Sequence, residues 1–386
     1  REIREDLPTS YYHELPKLAA GPLHDYPRIY AVALALTAHT DSRLDTNTLR
    51  RFIASYQTVS PLSIGELWAV AITLRLALVE NLRRLAVSVI RGRAEREEAD
   101  KLADRLLELA TRQPAAIMTL VEERLGKREK LPQTLIVQLI QRLREQDPAV
   151  IPVMSWLEKT VTSTNIEQVV HSEHQRQASA QVTVGNIITS MRLLSTLDWR
   201  EFFEKVSLID PVLGSDPSGA YSQMEFSSRD RYRHVIERIG KRTQRSEIEI
   251  AKQVVQLASQ ATTDPLNHVG YYLVDDGLEQ LESIFQYEPR TIERVQRFIL
   301  RNATAAYLGT FGVLTTLVLI LVLIIMHRYT GEVWFLGLTA LLALIPASEI
   351  ALTVLNWDVT HFLPPRLLLR MNTAAGIPVD AQTFVV

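Results

Sequence analysis

The sequence predicts an all-α protein, an array of antiparallel helices followed by a transmembrane helical hairpin, and three observations carry that prediction. Ala303 to Met326 runs for twenty-four residues without a charge. At 1.5 Å per residue a helix of that length is roughly 36 Å long, enough to cross a hydrocarbon core of about 30 Å. A second apolar run, Val333 to Trp357, follows a short polar turn and carries one charge, Glu349, and one proline, Pro346. Upstream, from Tyr26 onward, the apolar residues recur at helical spacing, glycine is scarce, and no segment alternates over six residues as a half-buried strand would.

In chain order, residues 1–25 are punctuated by Pro8, Pro16, Gly21 and Pro22 and predict an extended lead-in. Ser63-x-x-Glu66 is a capping box, in which hydroxyl and carboxylate each satisfy an orphan amide of the other residue. Behind it Ile64, Leu67, Trp68, Ala71, Leu74, Leu78, Leu82, Leu85 and Val89 keep one helical face apolar for about seven turns. The same start signal recurs at Asp198-x-x-Glu201, Ser246-x-x-Glu249 and Asp276-x-x-Glu279. Asp147-Pro148 and Asp264-Pro265 place an N-cap before a first-turn proline. The densest turn signal, Asp210 to Gly219, marks either a subdomain boundary or a long helix–helix loop. The expected organisation is a lead-in at 1–25, a helical domain at 26–209, a second helical subdomain at 210–302, the hairpin at 303–357, and an interfacial linker and opening strand at 358–386. No fixed repeat period is present.

Charge is unevenly placed. The formal net charge is −2, with no global basic bias toward nucleic acid. From Ala303 onward only seven of 84 residues are charged, which separates a charged helical region from a membrane region. Arg290, Arg294, Arg297 and Arg301 precede the first span, Arg366 and Arg370 follow the second, and the turn between holds only Arg328 beside Glu332. The positive-inside rule therefore puts both ends in the cytoplasm, with Arg297, Arg301, Arg366 and Arg370 at the membrane interface. The absence of cysteine excludes disulfides. Glu349, inside an apolar run, is a functional candidate by default; the preferred reading is that it marks the cytoplasmic end of a short span, since Trp357 and Asp358 follow closely. The chain opens on Arg1 and closes on Thr383-Phe-Val-Val386, the start of a buried strand, and the expectation is a piece of a longer protein.

Few constellations suggest chemistry. His171-x-x-His174 sits on a helix beside Glu173, but no further ligand of suitable spacing completes a metal site, and solvated helix surface is the better reading. No phosphate loop, nucleophile elbow or zinc-protease histidine pair is present. Asp275-Asp276 suits a helix N-cap. The one local basic concentration, Ser227 to Arg245, buries Tyr232, Val235, Ile236 and Ile239 on a helix and turns its arginines elsewhere. Those arginines, Arg229, Arg231 and Arg233 among them, form either a salt-bridged solvated face or a contact for anionic headgroups or a phosphate-bearing ligand.

An ordered set of motifs resembles one family. Ile3-Arg-Glu-Asp-Leu-Pro8, Tyr11-Tyr-x-Glu-Leu-Pro16, His39-Thr-Asp-Ser-Arg43, Gly65-Glu-Leu-Trp68, Trp199-Arg-Glu-Phe-Phe-Glu204, Asp216-Pro-Ser-Gly219, Ser228-Arg-Asp-Arg-Tyr-Arg233 and His268-Val-Gly-Tyr-Tyr-Leu273 come in that order. With the hairpin, Leu363-Pro-Pro-Arg366 and Gly376-Ile-Pro378, they resemble the N-terminal region of bacterial cyclic β-1,2-glucan synthases, which are large inner-membrane glycosyltransferases.

The resemblance implies a transferase domain directly after this region, using UDP-glucose and a divalent metal, Mg or Mn, with Thr383 to Val386 as its first strand. It implies that the catalytic residues lie beyond residue 386, so no catalytic, cofactor or metal residue is carried onto this chain. The expected task is to anchor and scaffold the transferase at the inner membrane, with membrane lipids and that domain as partners. Tyr11, Tyr12, Trp68, Tyr221, Tyr232, Tyr271 and Tyr272 are candidates for stacking on the growing glucan, against a core reading of the same residues. A rival of another class is a non-enzymatic inner-membrane helical adaptor that binds protein partners.

Overall fold

A computed structural model describes residues 14–128, 131–144, 146, 148–160, 166–329, 332–363, 368–373 and 376. Among these the structure is helical, with only isolated β-bridges and no longer strand. The chain divides into two compact units, Arg1–Leu208 and Ile209–Val386.

The first unit contains α1 (Arg28–His39), α2 (Thr46–Gln57), α3 (Ile64–Arg112), α4 (Ile117–Arg124), α5 (Gln133–Leu143), α6 (Ile151–Thr160), α7 (Ile166–Thr196) and α8 (Trp199–Val206). Its axis is α3, a helix of 49 residues. The capping box that starts it is formed: the Ser63 N–H donates to Glu66 Oε2 at 2.9 Å and the Glu66 N–H to Ser63 Oγ at 3.2 Å. Glu66 also takes the Arg28 guanidinium in a forked pair, Nε to Oε1 at 2.8 Å and Nη2 to Oε2 at 2.5 Å, and its side chain is fully buried. Trp68 stacks on Phe203 of α8 with ring centroids 4.7 Å apart.

The apolar face of α3 is buried to Leu78 and not through Val89 as the periodicity predicts: Leu82, Val87, Val89 and Ile90 are exposed. α1 packs on the first turns of α3, and a second core begins only at Ala99, where Leu102 and Leu106 meet Ile117, Val121, Leu135, Leu139 and Val153 from α4, α5 and α6. The middle turns between the two cores are mostly exposed, flanked only loosely by the start of α5 and by α7. The turn after α1 holds Asp41 and Ser42 at φ 48° and 61°, a left-handed region costly for residues with a Cβ. Fully buried Ser42 is secured there by Ser190 Oγ donating to its carbonyl at 2.6 Å and Asn81 Nδ2 to its hydroxyl at 2.8 Å.

The second unit comprises α9 (Asp210–Leu213), α10 (Ala220–Gln223), α11 (Phe226–Thr243), α12 (Glu247–Gln260), α13 (Val269–Val274), α14 (Leu278–Ile284), α15 (Thr291–Arg301), α16 (Ala303–His327) and α17 (Val333–Phe362). Of the expected start signals, Asp198 caps α8 through the amides of Arg200 and Glu201, and Ser246 occupies the N-cap of α12 without a side-chain bond. Two shift. Gly277, not Asp276, is the N-cap of α14, because the Asp275 carbonyl closes the turn on the Leu278 amide. Asp264-Pro265 lies in a turn ahead of α13 rather than at a helix start. Asp147, residues 1–13, Leu363-Pro-Pro-Arg366 beyond its first residue, and the closing Thr383 to Val386 fall outside the described residues.

α16 and α17 are long and apolar enough to cross a membrane, and only 6% and 17% of their most apolar stretches are buried. A core helix of a soluble protein would be mostly covered. They pack as an antiparallel hairpin along a seam of Thr315, Ala347, Ala351 and Leu355. Small residues on that seam let the two backbones approach.

α17 extends to Phe362, five residues past the expected Trp357, so Glu349 lies inside the helix and not at its end. The Tyr307 hydroxyl donates to Asn356 Oδ1 at 3.1 Å and sets the register. Stepping the same distance along both helices from that bond brings Glu349 level with Leu314, next to the midpoint of α16.

The Arg28–Glu66 pair carries the sharpest stability test. Arg28→Ala leaves a buried carboxylate without its counter-ion, and the expected loss is about 3–5 kcal/mol, read as a fall in the unfolding midpoint of the purified protein; an unchanged midpoint refutes it.

Candidate functional site

Three of the motifs singled out in the sequence converge in the second unit on one buried carboxylate. Asp216 lies in the loop after α9, its side chain fully buried. His268 Nδ1 donates to its Oδ2 at 2.8 Å, Ser218 Oγ to the same oxygen at 2.7 Å, and the Val269 N–H to Oδ1 at 3.1 Å. The other ring nitrogen of His268, Nε2, then accepts from the Tyr232 hydroxyl at 3.1 Å. The chain Asp216–His268–Tyr232 ties the loop to α13 and α11.

Gly270 makes this possible, since a Cβ there would run into the Tyr232 hydroxyl and the His268 ring. Burial pushes the Asp216 carboxyl up, but the hydrogen bonds from His268, Ser218 and Val269 outweigh it and bring it down to about 2. Burial, and then the Asp216 charge, raises the Tyr232 phenol above its ordinary value.

A second buried pair lies alongside. Arg233 is fully buried and gives Nη2 and Nε to Asp210 Oδ1 at 2.7 and 3.1 Å; Tyr221 donates its hydroxyl to the same oxygen at 2.5 Å. The guanidinium also lies 4.9 Å from the centroid of Phe226. This corrects the expectation that the arginines of α11 all turn away from the core. Arg233 points inward because Asp210, twenty-three residues earlier, supplies its counter-charge. Arg229 and Arg231 are half-buried.

Further along, Arg238 approaches Glu282 at 3.7 Å, and Arg242 Nε donates to the Glu288 carbonyl at 2.8 Å. The basic stretch thus spends Arg233, Arg238 and Arg242 on holding its own unit together. Tyr272 is buried, with its hydroxyl 3.4 Å from the Leu257 carbonyl, and Tyr271 is half-buried with its ring edge-on to Tyr272. Tyr221 and Tyr232 are also buried, so as the chain is folded here those rings face the protein interior.

The other candidates form a collar at the base of the hairpin. α15 exposes Ile292, Val295, Phe298 and Leu300, and burying a side chain of this size is worth about 1.5–3 kcal/mol. Its Arg297 forms a forked pair with Glu282, 2.7 Å on each arm, while Arg301 is exposed. Between α15 and the near ends of α16 and α17 lies an apolar cleft of about 760 Å³, lined by Ile292, Val295, Ile299, Tyr307, Val359 and Phe362. Gln296 Nε2 donates to the Phe362 carbonyl at 3.0 Å across it.

The segment after α17 returns to the start of α11. Ser228 Oγ accepts from the Arg370 N–H at 2.8 Å, the Glu225 N–H donates to the Arg370 carbonyl at 2.9 Å, and the Asn372 N–H to the Gln223 carbonyl at 2.7 Å. Arg370 is exposed and Arg366 lies outside the described residues. The unit thus holds its hairpin on both sides, through α15 on entry and residues 370–372 on exit. The sequence reading missed this clamp, and nothing local signals it: Ser228 and Arg370 are 142 residues apart.

His171 and His174 are exposed, and Glu173 is buried against Arg176, Thr134 and Gln177. Among the described residues no group of three or more metal-ligating side chains gathers.

The whole chain is similar to part of a much larger protein. Over 397 aligned residues it is 33% identical to the cyclic beta-(1,2)-glucan synthase NdvB of Rhizobium meliloti, and it spans 14% of that protein's length. The similarity is therefore to a portion of that larger protein. No protein-family model matches the chain.

The Asp216 hub has a pH signature. A carboxyl ordinarily near 3.8 and held at about 2 in the fold adds stability that is full above pH 4 and drains away as pH falls toward 2. Asp216→Asn is expected to lose about 1.5–3 kcal/mol at neutral pH and to flatten the acid limb in that window. Unfolding midpoints measured across pH check both; an acid limb identical to the parent's refutes the assignment.

Proposed function

We propose that this chain is the N-terminal anchoring and scaffolding region of a bacterial cyclic β-1,2-glucan synthase, which polymerises glucose from UDP-glucose in a domain that follows. The observation that carries the reading is the 33% identity to NdvB along the entire chain. The physical arrangement of the second unit supports the anchoring role. α16 and α17 present apolar side chains on nearly every face, and α15 lays a further apolar edge beside their base.

On this reading both ends of the hairpin are cytoplasmic, and the hub gives the transferase a rigid seat. α15 lies in the interface with Arg301 toward anionic headgroups, as juxtamembrane cations do in a negative surface potential. Residues 370–372, fastened to Ser228, Glu225 and Gln223, fix the point from which the chain continues. The chemistry, with its metal and its UDP-glucose, belongs to the following domain. Most of the candidate stacking tyrosines are buried, so a glucan contact in this region falls to Tyr271 and to the residues outside the described set.

The second reading, a non-enzymatic membrane adaptor, is favoured by one observation. The middle turns of α3 leave Val87, Val89 and Ile90 exposed, and exposed apolar side chains are the kind that protein partners cover.

The test uses the intact natural polypeptide in membranes and measures incorporation of labelled glucose from UDP-glucose. The expected result is robust incorporation by the parent and loss to background when α1 to α8 are deleted with the hairpin and expression level retained. Incorporation that survives the deletion reduces the helical array to an accessory. A polypeptide of about the 43.8 kDa of this chain that incorporates no glucose refutes the synthase reading and leaves the adaptor.

A further inference from the structure

The outer face of α17 has a pattern that neither the hairpin nor the anchoring role uses. The seam with α16 takes Ala347, Ala351 and Leu355. On the opposite side of the helix, at helical spacing, lie Leu338, Leu342, Ile345, Glu349, Thr353 and Thr360, all exposed. This stripe is apolar in its first half and polar in its second, and the change falls at Glu349, level with the middle of α16. Lipid chains offer nothing to a carboxyl at that depth.

Three features make the stripe rich in acceptors. Glu349 presents its carboxyl. Pro346 has no N–H, so the Leu342 carbonyl one turn earlier on the same side receives no helical bond from it. Thr353 and Thr360 donate their hydroxyl protons to the Glu349 and Asn356 carbonyls, at 2.9 and 3.0 Å, and turn oxygen lone pairs outward.

We propose that this face, from Leu342 to Thr360, docks a further transmembrane helix bearing a cationic, hydroxyl or amide donor at the depth of Glu349. The occupant follows from complementarity. A second copy of α17, running parallel in the same membrane, would set carboxyl against carboxyl at one depth, whereas a donor-bearing helix meets the Glu349 carboxyl. Interhelical bonds of this kind are what associates helices in a medium where apolar burial gives no drive. The proposal rests on α16 and α17 being membrane spans.

The test places a photo-crosslinking residue at Leu352, exposed beside the stripe, or at Leu317, exposed on the far side of α16, in the full-length protein in native membranes. Adducts are identified by mass spectrometry. The expected product at Leu352 is a peptide from an apolar segment of roughly 20 residues that holds a donor side chain near the crosslink, while Leu317 yields lipid adducts. Adding Glu349→Leu should lower the peptide yield about tenfold, the scale of one lost interhelical hydrogen bond; Glu349→Gln, which keeps a side-chain acceptor, should retain most of it. Lipid adducts at both positions overturn the docking face and leave the membrane reading standing. A crosslink to α17 of a second copy overturns the donor-bearing partner. Absence of lipid adducts at Leu317 removes the membrane reading and the proposal with it.

Discussion

The constraint on which the second unit depends is the medium that its hairpin requires. α16 and α17 bury little besides the seam between them, and a helix pair of that composition suits a medium in which its outward side chains meet hydrocarbon. Much of the rest of the unit serves that demand. α15 turns an apolar edge outward at the base of the hairpin. Its Arg297 is fastened to Glu282, so the edge is held in one orientation. The segment leaving α17 is fastened in turn by two main-chain hydrogen bonds, to Gln223 and Glu225, and one from the Arg370 N–H to the Ser228 hydroxyl.

The unit is tied together by a small amount of well-partnered buried charge. Asp216 and Asp210 each collect several donors from elements distant in sequence, and neither has been left as an uncompensated ion. Removing one partner from such a pair costs more than the pair contributes, because the survivor stays buried with its charge unmatched. The Asp216–His268–Tyr232 chain has a second consequence. It requires backbone at Gly270 to pass directly beneath two polar side chains, so a motif of six residues, His268 to Leu273, is explained by packing before any ligand is invoked.

The first unit solves a different problem. A helix of 49 residues spans about 74 Å, too long for one small core, and α3 is covered toward its two ends by separate sets of helices. The turns between them leave apolar residues, Val87, Val89 and Ile90, exposed. A sequence pattern records only that a face is apolar. Whether that face is covered depends on which other helices reach it.

The sequence by itself determined the properties that arise within a dozen or so consecutive residues. Helical class follows from periodicity, the capping box at Ser63 and the cap at Asp198 follow from side chains that reach their own backbone, and the two long apolar helices follow from length and scarcity of charge. Resemblance to a synthase was likewise legible, because ordered motifs survive without knowledge of their contacts. Tertiary structure decided what depends on partners far along the chain. Arg233 lies in the core because Asp210 meets it there, and Tyr232 because His268 does. Glu349 lies at the middle of the hairpin because the Tyr307–Asn356 register sets its depth. Charge pairing and helix register are set by distances in space, and a linear pattern of residue types does not contain those distances.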